Sequence, residues 1–196
     1  MNLDILISGV GGQGSVLASR ALALTAMERG LAVRTSEVIG MAQREGSVVS
    51  HVRIGEELYG AIIPDRRADF LLGLELAETA RALNKLKPGG IVLTGTTTIV
   101  PATVQLGLST YDREAITNYI KKQAGKVFFL DLEELSRRAG HARTGNVVIL
   151  GALSTLPGLP FGSDQMLQAI LRFVPGQFLE LNRRAFETGR AAMEVA

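Results

Sequence analysis

The sequence has no cysteine, no tryptophan and only two histidines, His51 and His141. Without cysteine it has no disulfide framework, no thiolate nucleophile, and no thiolate to hold an iron–sulfur cluster or a structural zinc. Two histidines far apart in the chain do not make a histidine-rich metal site. Any redox chemistry therefore needs a bound cofactor or a partner chain.

A large charge excess is also missing. Lys and Arg number 21 against 19 Asp and Glu, a net charge of +2. The basic doublets Arg66-Arg67, Lys121-Lys122, Arg137-Arg138 and Arg183-Arg184 are scattered, as on solvated helix faces and turns, and do not form the clustered basic face of a nucleic-acid binder. No long apolar run is present. Pro88–Tyr111 and Thr144–Ser163 carry no charge, but glycines and prolines break both, so neither reads as a membrane span. Asp4 opens a strand-like segment with no basic leader before it, and a cytoplasmic protein is expected.

What is present is an alternation of apolar strands and amphipathic helices. The 196 residues, 46% hydrophobic and 20% charged, suit a single globular domain over 1–196. Strands are expected at Asp4–Ser8, Ala32–Val38, Ala68–Leu74, Ile91–Thr94 and Val127–Leu130. Helices are expected at Ser15–Arg29, Leu76–Leu86 and Leu132–Ala139. The last third reads as helical, over Val147–Leu156, Asp164–Phe173 and Gln177–Met193, with prolines between. Ser47–Ile54 alternates as a strand, and Leu58–Ile63 is expected to return beside it as a hairpin near residues 47–63. The pattern predicts a three-layer α/β domain with a mainly parallel sheet.

Two stretches carry chemistry. Gly9-Val10-Gly11-Gly12-Gln13-Gly14 fits G-x-G-x-x-G directly after a strand and at the start of a helix. There the glycines let backbone N–H groups approach a phosphate, and the helix N-terminus adds partial positive charge. Glu37, ending the second strand, stands near the place of a ribose-binding acid. On these residues a Rossmann-like NAD(P)-binding dehydrogenase and a purely structural glycine turn both remain open. No Tyr-x-x-x-Lys pair or well-placed catalytic histidine follows.

The second stretch runs from Gly40 to Arg53 and concentrates Gln43, Arg44, Ser47, His51 and Arg53. Ser47, His51 and Arg53 share one strand face as a polar, cationic ladder. Such a ladder suits a phosphate, a carboxylate or an acidic protein surface, and it equally suits a solvated edge strand guarded by charge.

The glycine loop and the Gln43-to-Arg53 block together resemble the gamma-type subunit or domain of 2-oxoacid:ferredoxin oxidoreductases, and most nearly the beta subunit of the indolepyruvate enzymes. The likeness continues in Asn146-Val147-Val148-Ile149-Leu150-Gly151-Ala152 and Asn182-Arg183-Arg184-Ala185-Phe186-Glu187-Thr188-Gly189. One departure is Glu45, where the family usually has glycine. The resemblance implies oxidative decarboxylation of a 2-oxoacid to an acyl-CoA with electrons passed to ferredoxin. It implies thiamine diphosphate and iron–sulfur clusters on a catalytic alpha-type partner subunit, with ferredoxin an indirect partner. Zero cysteine and the lack of a Gly-Asp-Gly motif with a following Asn-rich segment agree with cofactors held elsewhere.

The resemblance further implies a chain inactive alone, packed over the active site and helping to hold coenzyme A. Gly9, Gly11, Gly12, Gln13, Gly14, Gln43, Arg44, Ser47, His51 and Arg53 are the candidate contacts for pyrophosphate, substrate carboxylate or partner. Their expected work is binding and positioning, with no catalytic residue and no metal ligand assigned. A nucleotide-sensing or assembly module without a role in turnover is the other reading. His141 reads as a loop residue and Asn146 as the cap of the helix after it.

Overall fold

Eight consecutive buried residues make Leu3–Val10 (β1) the central strand. The computed structural model describes residues 2–41 and 46–194. After β1 come helix α1 (Ser15–Glu28), β2 (Val33–Ile39), β3 (Ser47–Ile54), β4 (Ala68–Gly73), α2 (Leu76–Ala82), β5 (Leu86–Gly95), α3 (Ala102–Gln105), α4 (Arg113–Gln123), β6 (Lys126–Leu130), α5 (Leu132–Ala139), α6 (Gly145–Leu153), α7 (Ser163–Arg172) and α8 (Leu179–Glu194). The strands form one six-stranded sheet in the order β2-β3-β1-β4-β5-β6.

β1, β4, β5 and β6 are parallel neighbours, while β3 runs antiparallel between β1 and β2. β2 therefore shares the direction of β1 but is held one strand away from it. The expected hairpin between Ser47–Ile54 and Leu58–Ile63 does not form. Both edges of β3 are already paired, with Leu3↔Ile54 on one side and Val33↔Ile54 on the other. Residues 58–63 therefore run as irregular chain, with Ile63 buried and its N–H donating to His51 Nδ1 at 3.2 Å.

Two more boundaries differ from the sequence pattern. The helix expected to reach Leu86 ends at Ala82, a 3-10 turn follows at Leu83–Lys85, and Leu86 already begins β5. The Pro88-Gly89-Gly90 breaker lies inside that strand, where pairing jumps from Ala68↔Leu86 to Phe70↔Ile91 across a bulge. Helix α4 was not anticipated; its mixed polar surface buries one side chain fully, Ile120.

Side-chain alternation splits the interior into two cores. Leu3, Ile5, Ile7, Val52, Phe70 and Leu72 face α1 and the C-terminal helices. Leu6, Ile63, Leu71 and Val92 face α2 and Ile120 of α4. Among the C-terminal helices, all residues of α6 from Asn146 to Leu153 are buried, and α8 lies directly against it. Glycines permit that approach: a Cβ at Gly151 would strike the Phe186 carbonyl, and one at Gly189 would strike the Val148 carbonyl. Among the described residues, no helix is long and apolar enough to cross a membrane.

Candidate functional site

The C-terminal ends of the parallel strands gather the polar residues. β1 runs into the glycine loop, whose shape is held by Gln13. The Gln13 side chain accepts from the Val10 N–H at 2.9 Å and donates to the Leu74 carbonyl at 3.1 Å. Gln13 thus ties the loop to the end of β4 and points inward. Gly9, next to last in β1, lies against Gln13 and Leu74, and the Gly11 N–H donates to the Gly46 carbonyl at 2.9 Å. Gly12 and Gly14 take φ of 91° and 83°, the left-handed region that glycine enters without a Cβ penalty. Their N–H groups have no hydrogen-bond partner among the described residues.

Asn146, expected to cap its own helix, does something else. Thr144 is the N-cap of α6 and makes no side-chain cap bond. Asn146 instead donates through Nδ2 to the Gly14 carbonyl at 3.1 Å, which seats the start of α6 against the start of α1. A cavity of about 310 Å³ opens there, lined by Gly12, Gln13, Thr97, Ser136, Arg143 and Asn146 among others.

Ser47, His51 and Arg53 do share one face of β3, opposite Val10, Leu6 and Asp4 of β1. They do not make a free cationic ladder. Ser47 Oγ bonds Glu78 Oε2 at 2.6 Å. His51 is 2% exposed, and its Nδ1 is the acceptor for Ile63 N–H. Burial, with the positive charges of Lys85 and Arg53, holds its imidazole below the ordinary 6.5, so it is neutral and serves as an acceptor. Arg53 donates to both oxygens of buried Asp4 and to the Gly60 carbonyl. Ser47 and His51 line a second cavity of about 230 Å³, walled by Leu6, Val38, Val49 and Ile62. Among the described residues none lines both cavities: Gly12 and Gln13 line the first, Ser47 and His51 the second, and Gly9, Gly11, Gly14 and Arg53 line neither. Gln43, Arg44 and Glu45 lie outside the described residues.

Glu37 stands on β2, with β3 between it and β1, and its carboxylate accepts from Ser19 Oγ of α1 at 3.4 Å. The position that a ribose-binding acid takes beside the first strand is occupied by β3.

A buried carboxylate that sequence reasoning missed organises the same end of the sheet. Glu75, 1% exposed, caps α2 by accepting from Glu78 N–H at 2.8 Å. Its other oxygen accepts from Ile99 N–H at 3.2 Å and from Tyr111 OH at 3.0 Å. Three neutral donors satisfy the charge and pin the 97–111 segment over the strand ends. Burial and the facing carboxylate push the Tyr111 phenol up. In the sequence Glu75 reads only as a residue before a helix. Among the described residues no cluster of His, Asp or Glu is placed to hold a metal ion. The arrangement offers backbone donors, helix N-termini and shaped cavities, the means of binding and positioning.

Comparison with known proteins supplies the context. A family model described as pyruvate ferredoxin/flavodoxin oxidoreductase matches residues 4–192. Indolepyruvate oxidoreductase subunit IorB of Thermococcus kodakarensis is 42% identical over 195 residues, 98% of this chain and 96% of that one. The crystal structure of a keto/oxoacid ferredoxin oxidoreductase gamma subunit from Geobacter sulfurreducens superposes with a TM-score of 0.75 at 25% identity, covering 100% of this chain and 98% of that one. The 2-oxoglutarate:ferredoxin oxidoreductase of Magnetococcus marinus, solved with 2-oxoglutarate, coenzyme A and succinyl-CoA bound, gives a TM-score of 0.72 at 21% identity. It covers 100% of this chain and 31% of that longer one.

Proposed function

The chain belongs to the pyruvate ferredoxin/flavodoxin oxidoreductase family, and from that premise we propose that it is the non-catalytic subunit of a 2-oxoacid:ferredoxin oxidoreductase whose substrate is indolepyruvate or a related arylpyruvate. The observation that carries the reading is end-to-end similarity, 42% identity over 98% of the chain, to an indolepyruvate oxidoreductase subunit. A catalytic partner would hold thiamine diphosphate and the iron–sulfur clusters. This chain, with no cysteine, has no thiolate for a cluster.

Its own residues have a narrower task. The Gly12 and Gly14 N–H groups of the glycine loop have no protein partner among the described residues, and Glu75 anchors the segment at 97–111 at the same end of the sheet. A subunit laid with this end over the partner's active site would shield the reacting centre from water and contact coenzyme A or the 2-oxoacid. Such contact lowers the entropy of bringing the thiol to the acyl group. The dehydrogenase alternative is disfavoured by β3, which separates Glu37 from the glycine loop.

Co-expression with the catalytic subunit of an indolepyruvate oxidoreductase from the same source tests the reading. A stable complex that oxidises indolepyruvate in the presence of coenzyme A and ferredoxin, with neither chain active alone, is the expected result. Turnover by this chain alone, or failure of the two chains to associate, overturns it.

A further inference from the structure

The second cavity, of about 230 Å³, lies on the sheet face that carries His51. On that face α2 packs on β1 and β4. Beside it, Val38 of β2 and Ile62 are left 48% and 55% exposed, and Val49 pairs with Val38 from the next strand. With Leu6 these side chains make an apolar trough with an exposed rim.

The polar groups in its walls are short of acceptors. His51 is 2% exposed, and its Nδ1 accepts from the Ile63 N–H at 3.2 Å, so the neutral ring carries its proton on Nε2. That N–H has no acceptor among the described residues, and it is not sealed away. The sealed side-chain atoms that lack a partner are the hydroxyls of Ser8, Ser50 and Ser136. The ring lines the cavity, and the cavity is the space its free N–H faces. Lys85 stands in the same wall; it donates to exposed Asp65 at 2.7 Å and has two further ammonium hydrogens. Glu78 is the one carboxylate of the wall, and it is already satisfied. Ser47 Oγ donates to one of its oxygens at 2.6 Å, and Arg81 pairs with the other. Lys85 and Arg81 against Glu78 leave the wall net positive. A donor held among apolar side chains without an acceptor is costly unless something enters to supply one.

We infer that this trough seats an aromatic carboxylate, its ring against Leu6, Val38, Val49 and Ile62 and its carboxylate accepting from His51 Nε2–H and the Lys85 ammonium. The size agrees. An apolar cavity of about 150 Å³ admits benzene, and the larger volume here leaves room for a short acid arm. The same walls turn other classes away. An amine meets Lys85 and Arg81 with Glu78 already occupied, a small aliphatic acid leaves the trough unfilled, and a ring without an acid leaves the His51 N–H unpartnered. The inference rests on the subunit reading only in the choice of an indole ring for the probe.

The test is calorimetric titration of the full chain with indole-3-acetate, indole and acetate. Indole-3-acetate is expected to bind, indole about tenfold more weakly for want of the charge-assisted contact, and acetate without measurable heat. Lys85→Met is expected to weaken indole-3-acetate by a similar factor, with Lys122→Met on α4 as the unaffected control. Val38→Trp fills the trough from its exposed rim, and is expected to abolish binding while leaving the melting temperature unchanged. Nitrogen–proton NMR of the imidazoles gives a second readout. The chain has two histidines, so indole-3-acetate is expected to move the His51 signals and leave those of exposed His141 in place.

No binding of indole-3-acetate, equal binding of indole, or binding that survives both K85M and V38W with the His51 signals unmoved, overturns the seat. A co-expressed complex that oxidises indolepyruvate, formed by a chain that binds no aromatic acid, removes the seat and leaves the subunit reading standing. A chain that binds indole-3-acetate through Lys85 yet joins no catalytic partner does the reverse.

Discussion

Arg53 grips Asp4 through two nitrogens, at 2.8 and 3.2 Å, and the two side chains retain only 11% and 6% of their exposure. The pair locks the start of β1 to the end of β3, and the same guanidinium reaches the Gly60 carbonyl at 3.1 Å. Arg53→Met leaves Asp4 charged, buried and unpaired, and is expected to cost about 3–5 kcal/mol of stability. Urea denaturation measures it. Asp4→Asn combined with Arg53→Met recovers part of the loss, because no uncompensated charge then remains.

The buried imidazole of His51 makes stability depend on pH. Its folded pKa lies below the ordinary 6.5, so between those two values an unfolded chain binds a proton that the folded chain refuses. Stability is therefore complete above 6.5 and falls as the pH drops through that window. His51→Asn keeps an acceptor for the Ile63 N–H and cannot be protonated. The acid-side slope of wild type, followed by denaturation midpoint between pH 7 and 5, is expected to flatten in the variant.

Tyr111→Phe removes one of three donors to the Glu75 carboxylate. The expected loss is about 1.5 kcal/mol, the low end for a bond to a charged group because the phenol is half-buried. The effect should be local as well as global. Limited proteolysis is expected to cut faster between residues 97 and 111 in the variant, while cleavage elsewhere is unchanged.

Gly14→Ala meets two obstacles, a positive φ and the Asn146 amide lying where the new methyl would go. The backbone term alone is about 1–2 kcal/mol. Asn146→Ala loses the bond to the Gly14 carbonyl and also removes the obstructing amide. The double variant is therefore expected to cost less than the sum of the two singles, and a double-mutant cycle on denaturation free energies measures the coupling.

Local signals made the β1–α1 unit legible. An apolar run, a glycine cluster and helical spacing lie within some thirty residues, and each acts on its neighbours. The face shared by Ser47, His51 and Arg53 was legible for the same reason, since alternation is a property of one strand. Their partners were not. Nothing near residue 53 announces Asp4, and nothing near 51 announces Ile63, because both contacts arise from the choice of neighbouring strand. That choice also displaced the expected hairpin: β3 satisfies both its edges with β1 and β2, and residues 58–63 have no edge left to join. Asn146 shows the limit most directly. Its position before an apolar helix has the signature of a cap, and its actual bond spans 132 positions in sequence. The bulge at Pro88-Gly89-Gly90 is a related case, a local breaker overruled by the parallel pairing around it.

Because Gly151 and Gly189 let α6 and α8 meet backbone to backbone, α6 is a bolt with the end of the chain gripping its shank and the glycine loop resting on its head. Asn146 and Gly151 are separated by about 7.5 Å of helix rise. A methyl introduced at Gly189 has no space unless the bolt slides, and whatever slides α6 carries Asn146 and the Gly14 carbonyl with it. The two ends of this sequence are thereby coupled by steric necessity. Damage to the last helix would register first as a misplaced loop at residues 9–14, ahead of any opening of the sheet.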